Sequence, residues 1–293
     1  MTSLAPTTPS AAPLSSATRL GPAHLVVTDL GRSLAFYEGS LGLAVHRREP
    51  GAAALGAGGD DLLVLEELPG ARRAGRHAGL YHVALLQPSR LELARAAQRL
   101  AVTRTPIDGA SDHGISEAIY LPDPDGNGIE LAADRERARW PELSQTVAAY
   151  RPQPLDTQGL LALVADQPVE ERADAGLVVG HVHLHVSVLD RDVAFYTDVI
   201  GFDVMMRVSG AAFVSAGGYH HHAGLNTWRG EGVPGVPAGT IGLRHWTLRL
   251  VPEDVEAVLA RAAAAGAPVE QAADGPLLRD PAGNAVVLAP LAS

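Results

Sequence analysis

The stretch Leu34-Ala35-Phe36-Tyr37 recurs as Val193-Ala194-Phe195-Tyr196, 159 residues further along the chain. The residues that follow keep the same offset, because Leu41-Gly42-Leu43 matches Ile200-Gly201-Phe202. A pattern that returns at a fixed offset is the sequence signature of a duplicated structural unit. The chain is therefore predicted to contain two copies of one unit.

A turn motif recurs at nearly the same distance. Asp123-Pro124-Asp125-Gly126-Asn127 returns as Asp280-Pro281-Ala282-Gly283-Asn284, 157 residues later. Its Asp, Pro, Gly and Asn residues are typical of tight turns. The motif lacks the spaced ligands and the closing Glu of an EF-hand loop, so it does not predict a calcium site. We interpret it as structural in both copies.

Each copy divides again into two modules. In the first copy, Ala23-His24-Leu25-Val26-Val27 and Tyr81-His82-Val83-Ala84-Leu85-Leu86 are short β-type runs that lead through a turn into a helix. The second helix has a clear start, because Ser89 can cap it and Glu92 follows three residues later. Further short β patterns come after each helix. A unit of one strand, one helix and about three strands therefore occurs four times.

The four units predict an α+β fold in which βαβββ modules pair into two barrels in tandem along the chain. This prediction divides the chain into an N-terminal domain, residues 19–134, and a C-terminal domain, residues 177–291. Residues 1–18 are rich in Ala, Pro, Ser and Thr and are predicted to form a disordered tail. Residues 135–176 break the pattern and are interpreted as an interdomain linker with short helices, one of them near 143–150.

Composition limits the classes of partner. The chain has 293 residues and 46% hydrophobic composition, which is enough for two cores. A formal net charge of -10 and the absence of a basic run argue against nucleic acid. The chain has no cysteine, so it has neither disulfides nor thiolate ligands. No apolar run reaches the ~18 residues of a membrane span. We expect a cytoplasmic protein without a membrane partner. Assembly into a homo-oligomer is compatible with the sequence.

The fourfold repeat, with His on the first strand of each pair, resembles the vicinal oxygen chelate superfamily. This superfamily includes glyoxalases, fosfomycin-resistance enzymes, bleomycin-binding proteins and extradiol dioxygenases. The resemblance covers residues 20–289, nearly the whole chain. Its narrower match is to the two-domain catechol 2,3-dioxygenase type, and it is carried by the stretches 79–82, 111–120, 123–130 and 218–228.

The resemblance implies a divalent-metal site held by His24, His82 and Glu130. Two imidazoles and one carboxylate form the facial triad that leaves open positions on a non-haem Fe(II). Glu130 is the most informative of the three, because an unpaired carboxylate in the apolar run Ile129-Glu130-Leu131 would be costly to bury. A single His in a β run is more often a hydrogen-bonded, half-buried residue than a ligand. The hypothesis therefore depends on the three residues together.

The second copy keeps two imidazoles, as His183 and His245, and has Val287 at the position of Glu130. We therefore predict that this copy is catalytically silent, although many two-domain extradiol enzymes use their C-terminal copy. The run Tyr219-His220-His221-His222 has three interpretations at this stage. It could bind a metal with a histidine of the second copy, line a pocket, or stabilise the domain interface.

His113 and Tyr120 precede Glu130 by 17 and 10 residues. In extradiol dioxygenases a His and a Tyr in comparable positions contact the substrate oxygens and the bound O2. The resemblance therefore implies catalytic roles for both residues. The alternatives are a turn histidine paired with Asp112 and a core tyrosine.

The sequence leads to one main functional hypothesis and two alternatives. The main hypothesis is an Fe(II)-dependent extradiol dioxygenase that acts on a small aromatic diol and O2, with Mn(II) or another divalent metal as a substitute ion. The first alternative is a glyoxalase-like isomerase or thiol transferase that uses a different divalent metal. The second is a metal-free protein that binds a small aromatic compound.

Overall fold

The structure is a computed structural model that describes residues 13–140 and 152–291. Residues 1–12 of the predicted tail and the predicted helix near 143–150 lie outside the described residues. The remainder of the tail is ordered, in contrast to the prediction, because Leu14 is buried and the backbone N–H of Ser15 donates to Asp254 at 2.8 Å. No helix in the described ranges is long and apolar enough to span a membrane.

The first half of the chain forms two βαβββ modules, as predicted. Module 1 contains β1 (Arg19–Val27), α1 (Leu30–Gly39), β2 (Ala44–Glu49), β3 (Ala52–Gly56) and β4 (Asp61–Glu67). A two-residue strand, β5 (Arg72–Arg73), follows it. Module 2 contains β6 (Gly79–Gln87), α2 (Arg90–Val102), β7 (Gly109–Asp112), β8 (Ser116–Pro122) and β9 (Gly128–Asp134).

The second half repeats this plan after a connecting segment. The segment contains a 3-10 helix (Arg137–Arg139), β10 (Gln153–Pro154) and α3 (Thr157–Ala162). Module 3 contains β11 (Val178–His185), α4 (Leu189–Ala194), β12 (Asp203–Val208), β13 (Ala211–Ser215) and β14 (Ala223–Asn226), and α4 continues as a π-helix (Phe195–Ile200). Module 4 contains β15 (Thr240–Leu250), α5 (Pro252–Ala264), β16 (Val269–Ala272), β17 (Gly275–Arg279) and β18 (Ala285–Pro290).

The predicted start of α2 is confirmed in part. The Ser89 side chain accepts a hydrogen bond from the backbone N–H of Glu92 at 3.3 Å, which satisfies one free donor of the first turn. The Glu92 carboxylate does not complete the capping box. It binds the guanidinium of Arg95 at 2.6 Å instead, because the two side chains are three residues apart on one helix face.

The modules form two nine-stranded sheets, and each sheet takes one module from each half of the chain. The outer sheet combines modules 1 and 4 in the order β16-β17-β18-β15-β1-β4-β3-β2, with β5 attached to β15. The inner sheet combines modules 2 and 3 in the order β10-β7-β8-β9-β6-β11-β14-β13-β12. The α+β class and the four paired modules are confirmed. The two copies follow each other along the chain as predicted, but each sheet takes one module from each copy, so residues 19–134 and 177–291 do not form separate sheets.

The first strands of the modules meet at the centre of each sheet. In the outer sheet, β1 and β15 run antiparallel and pair His24 with His245. In the inner sheet, β6 and β11 run antiparallel and pair His82 with His183. All four strands carry similar apolar runs, so the pattern of one strand does not say which of the others it will join. The choice is made by packing across the whole molecule.

The two repeated motifs contact each other within each half. The Asp123 carboxylate accepts bonds from the backbone N–H groups of Asp125 and Asn127, both at 2.8 Å, and from the Tyr37 hydroxyl at 3.1 Å. This contact joins module 1 of the outer sheet to module 2 of the inner sheet. Asp280 and the Tyr196 hydroxyl repeat it at 3.2 Å between modules 3 and 4. The interpretation of the motif as a structural turn fits this geometry.

Candidate metal centre

Two of the three predicted ligands lie together in the inner sheet. His82 is on β6 and Glu130 is on the parallel neighbour β9, where Glu130 stands beside Ala84. His82 Nε2 lies 2.9 Å from Glu130 Oε2. The carboxylate is only 3% exposed, so it needs partners that offset its burial.

The third member of the group is His181 on β11, which the sequence interpretation missed. Its Nε2 lies 3.2 Å from Glu130 Oε2 and 3.3 Å from His82 Nε2. The repeat offset drew attention to His183 because that residue matches His24. A local signal was available, because His181-Val182 repeats the pair His82-Val83 on the partner strand.

The three ligand atoms have the spacing that a metal ion requires. Their separations are 2.9, 3.2 and 3.3 Å. Donors bonded at about 2.1 Å on adjacent corners of an octahedron stand about 3.0 Å apart. Three such contacts define one triangular face, which is the arrangement of the two-histidine, one-carboxylate triad. The donor set therefore fits a divalent ion.

Electrostatics supports the ligand-competent forms of these residues. Burial would raise the pKa of Glu130, but the facing imidazoles of His181 and His82 outweigh it and hold that pKa well below its usual range. Burial lowers the pKa of His181. The carboxylate is therefore ionised and the His181 ring is neutral near pH 7, which are the forms that bind metals.

His24 does not reach this group. It lies on β1 of the outer sheet, where its ring stacks on His245 with the centroids 3.9 Å apart. The predicted triad of His24, His82 and Glu130 is therefore not brought together, because it assumed that modules 1 and 2 share a sheet. His181 takes the place that the prediction gave to His24.

The triad borders a cavity of about 550 Å³ in the inner sheet. Its polar lining includes His113, Tyr120, His220 and the triad itself. Met206, Val208, Phe213 and Trp228 supply much of its apolar lining. In the part of the chain that the structure describes, no Lys or Arg lines this cavity.

Comparisons with known proteins agree with this architecture. The model of the Glyoxalase/Bleomycin resistance protein/Dioxygenase superfamily matches residues 19–131 and 178–288. The chain belongs to this superfamily. It is 41% identical over 276 residues to a protein from Bacillus subtilis (strain 168) named catechol-2,3-dioxygenase, covering 92% of this chain and 96% of the relative.

Solved structures support the superfamily fold at lower identity. Glyoxalase I from Zea mays is 18% identical with a TM-score of 0.58, covering 93% of this chain and 92% of that protein. The cppA protein from Streptococcus pneumoniae TIGR4 is 14% identical with a TM-score of 0.57, covering 95% and 99%. At such identities the similarity concerns the fold alone.

His113 and Tyr120 of this superfamily member do come together beside the triad. His113 lies in the turn between β7 and β8, and its Nε2 is 2.7 Å from the Tyr120 hydroxyl. Tyr120 pairs with Glu130 across the strands, and its ring lies 5.6 Å from that of His82. Burial raises the pKa of Tyr120 far above its usual range and lowers the pKa of His113. Tyr120 therefore keeps its proton at neutral pH.

The run from Tyr219 to His222 has divided roles. Tyr219 and His220 bind the two oxygens of Asp134 at 2.9 and 3.0 Å, which ties module 3 to β9. His222 binds Ser215 at 2.7 Å. His221 lines the cavity, and its ring centroid lies 4.0 Å from that of His181. The run therefore lines a pocket and joins modules, and His221 is a further candidate that sequence alone did not single out.

His183 also faces the cavity, next to His82 rather than in a second metal site. Its ring centroid lies 5.1 Å from that of His82 and 5.2 Å from that of Trp228. Its Nε2 is buried and has no hydrogen-bond partner among the described residues. Burial, with His82 and His181 close by, lowers its pKa well below the usual range. His183 therefore presents a neutral imidazole, with an unpaired Nε2, to the cavity beside His82.

Proposed function

We propose that this chain is an Fe(II)-dependent extradiol ring-cleaving dioxygenase, which opens catechol or a substituted catechol with O2. The observation that carries the proposal is the triad of His82, Glu130 and His181, with ligand atoms 2.9–3.3 Å apart beside a cavity. The relative named catechol-2,3-dioxygenase supports the same reaction, because it is 41% identical over nearly the whole of both chains.

The proposed reaction places both atoms of O2 in the product. The ring bond between a hydroxyl-bearing carbon and its unsubstituted neighbour breaks, which gives a hydroxymuconic semialdehyde with all the atoms of catechol and O2. Fe(II) on a two-histidine, one-carboxylate face supplies open positions for both reactants and electronic coupling between them. His82, Glu130 and His181 would hold the ion.

The side chains around the triad would move the protons. Catechol must lose hydroxyl protons to become electron-rich, and an acceptor has to lie close to the metal centre. His221 lines the cavity, and its ring stands 4.0 Å from that of His181, so we assign it this role. The His113–Tyr120 pair, joined at 2.7 Å, would donate hydrogen bonds to the substrate oxygens.

The shape of the cavity suits a ring larger than catechol itself. Catechol has eight non-hydrogen atoms and fills roughly 120 Å³, if each atom takes about half of the ~30 Å³ share of a water molecule. The cavity measures about 550 Å³. Met206, Val208 and Phe213 are part of its apolar lining, which favours an uncharged alkyl or aryl substituent over a carboxylate.

The alternatives make different use of the same residues. A glyoxalase-like isomerase or thiol transferase would need the triad with a different divalent metal and would consume no O2. A metal-free binding protein would leave Glu130 facing two imidazoles with no ion between them. The donor spacing favours a metal protein, and the 41% identical relative favours ring cleavage among the metal-dependent reactions.

The decisive experiment is anaerobic reconstitution with Fe(II), followed by catechol and 4-methylcatechol in the presence of air. We expect a yellow ring-opened product and the uptake of one O2 for each substrate consumed. Zn(II)-loaded protein serves as the control, because zinc has no accessible redox change. Bound iron without O2 uptake on any catechol would refute the dioxygenase while leaving the metal site intact.

A further inference from the structure

The outer sheet contains a second group of side chains suited to a metal, which the proposed reaction does not use. His24 lies on β1, His245 on β15, and Asp274 in the turn between β16 and β17. Their ligand atoms all lie within 4.8 Å of one another. His24 Nε2 lies 3.8 Å from Asp274 Oδ2.

Each imidazole of this group has one ring nitrogen without a hydrogen-bond partner among the described residues. The Nε2 atoms of His24 and His245 are buried and have no hydrogen-bond partner among the described residues. A buried polar atom without a partner costs free energy, so paired unsatisfied atoms at one place indicate a missing ligand. Burial lowers the pKa of His24, and lowers that of His245 to about 3, so both rings are neutral near pH 7.

The carboxylate of Asp274 comes from a hairpin turn, whereas the inner-sheet carboxylate of Glu130 comes from a strand. In the inner sheet, Glu130 on β9 pairs with Ala84 on β6. In the outer sheet, Val287 on β18 pairs with Thr247 on β15, so the position equivalent to Glu130 has no carboxylate. Asp274 is at the tip of the β16–β17 hairpin. This hairpin is the counterpart of the one whose tip carries His113 over the inner triad.

The local charges permit a cation at this place. Three arginines near the group have acidic partners of their own: Arg244 binds Glu66 at 2.7 Å, Arg279 binds Glu270 at 2.9 Å, and Arg47 binds Glu49 at 3.1 Å. Among the described residues, Asp274 forms an ion pair with His24 alone. Its carboxylate is therefore free to serve as a ligand.

We propose that His24, His245 and Asp274 form a second divalent-metal site, distinct from the inner triad. Two neutral imidazoles and one carboxylate suit a borderline ion such as Zn²⁺, with water in the fourth position. Binding turns the two rings out of their stacked contact and draws Asp274 inward from 3.8 Å to about 3.0 Å. Asp274 can make this movement because its side chain is 56% exposed at a hairpin tip.

Such an ion would clamp three elements of the outer sheet. It joins β1 of module 1 to β15 and the hairpin of module 4, which come from opposite ends of the chain. We assign the site a structural role, because the ion would tie β1 to β15 and to the β16–β17 hairpin and has no part in the proposed ring cleavage. Its occupancy is therefore separable from the proposed dioxygenase activity.

The test is metal stoichiometry on the full chain. Chelator-stripped protein is titrated with Zn²⁺ in a calorimeter, and bound zinc is counted by elemental analysis after gel filtration. We expect two equivalents for the natural sequence, and one for Asp274→Asn and for His24→Gln. Glu130→Gln should also retain one equivalent, and the double variant Glu130→Gln/Asp274→Asn should retain none.

Three further measurements guard the result. Asp203→Asn, which alters an exposed carboxylate on the edge strand β12, should keep two equivalents. Co²⁺ substitution should give a visible absorption from the outer site that disappears in Asp274→Asn, while circular dichroism stays unchanged. A single equivalent in the natural sequence, or a second equivalent that survives both Asp274→Asn and His24→Gln, would overturn the proposal.

Discussion

The inner and outer sheets share one plan and differ at the positions that matter for metal chemistry. At the three places where the inner sheet has His82, His181 and Glu130, the outer sheet has His245, Pro22 and Val287. The strand register and the Tyr–Asp turn contacts are kept in both. The duplicated framework is therefore held by turns and core packing, which leaves the ligand positions free to diverge.

The largest expected effect is the loss of the inner carboxylate. Glu130→Gln replaces the charged ligand by a neutral amide beside two imidazoles, so iron affinity should fall by more than about 100-fold, beyond the loss seen for outer-sphere changes. Iron content and O2 uptake measure the effect. Glu117→Gln is the matched control, because Glu117 is also buried on a neighbouring strand but binds Arg90 at 2.6 Å. Equal iron loss in both variants would mean that stability, not ligation, is responsible.

A smaller difference separates two histidines on the same strand. His181→Ala removes a proposed ligand and should release the iron, while His183→Ala should retain it, because His183 lies outside the triad. Both residues are buried on β11 and face the same cavity, so each variant controls for the other. Iron release from His183→Ala alone would show that the repeat offset, not the inner-sheet geometry, identifies the ligand.

The smallest effect concerns the two structural turns. Burial raises the pKa of Asp280 to about 7, against 3.8 for an unperturbed group. The folded protein therefore holds a proton that the unfolded chain has lost, so stability from this group falls as pH rises from 3.8 to about 7. Asp280→Asn should therefore reduce the pH dependence of the free energy of unfolding in this range. Urea titration of the variant and of the natural sequence at several pH values measures it. Asp123→Asn should act in the same direction, since burial raises the pKa of Asp123 too. An unchanged slope in both variants would contradict this account.

Sequence could predict the modules because repeats and strand periods are local properties. It also identified Glu130, since a carboxylate within an apolar run needs partners, and His82 with it. It could not choose among His181, His183 and His185, which are two residues apart and share one strand face. That choice depends on how β11 is aligned with β6, where the pairing shifts on both sides of His181 and His183.

The exchange of modules between halves was likewise beyond the sequence. Every first strand is apolar enough to join any other, and only the packed molecule selects β1 with β15 and β6 with β11. His24 was therefore assigned to the wrong sheet for a physical reason. Neighbours in the chain were taken for neighbours in space, which holds for most sequential strands but not here.

The crossing of the two halves also has a consequence for biosynthesis. A chain that emerges from the ribosome amino end first presents His82 and Glu130 before His181, which follows Glu130 by 51 residues. The nascent first half already contains two whole modules, yet neither sheet can close until the second half arrives. The three triad residues can meet only after β11 has been made, so a chain truncated before Val178 would lack the third member of the triad.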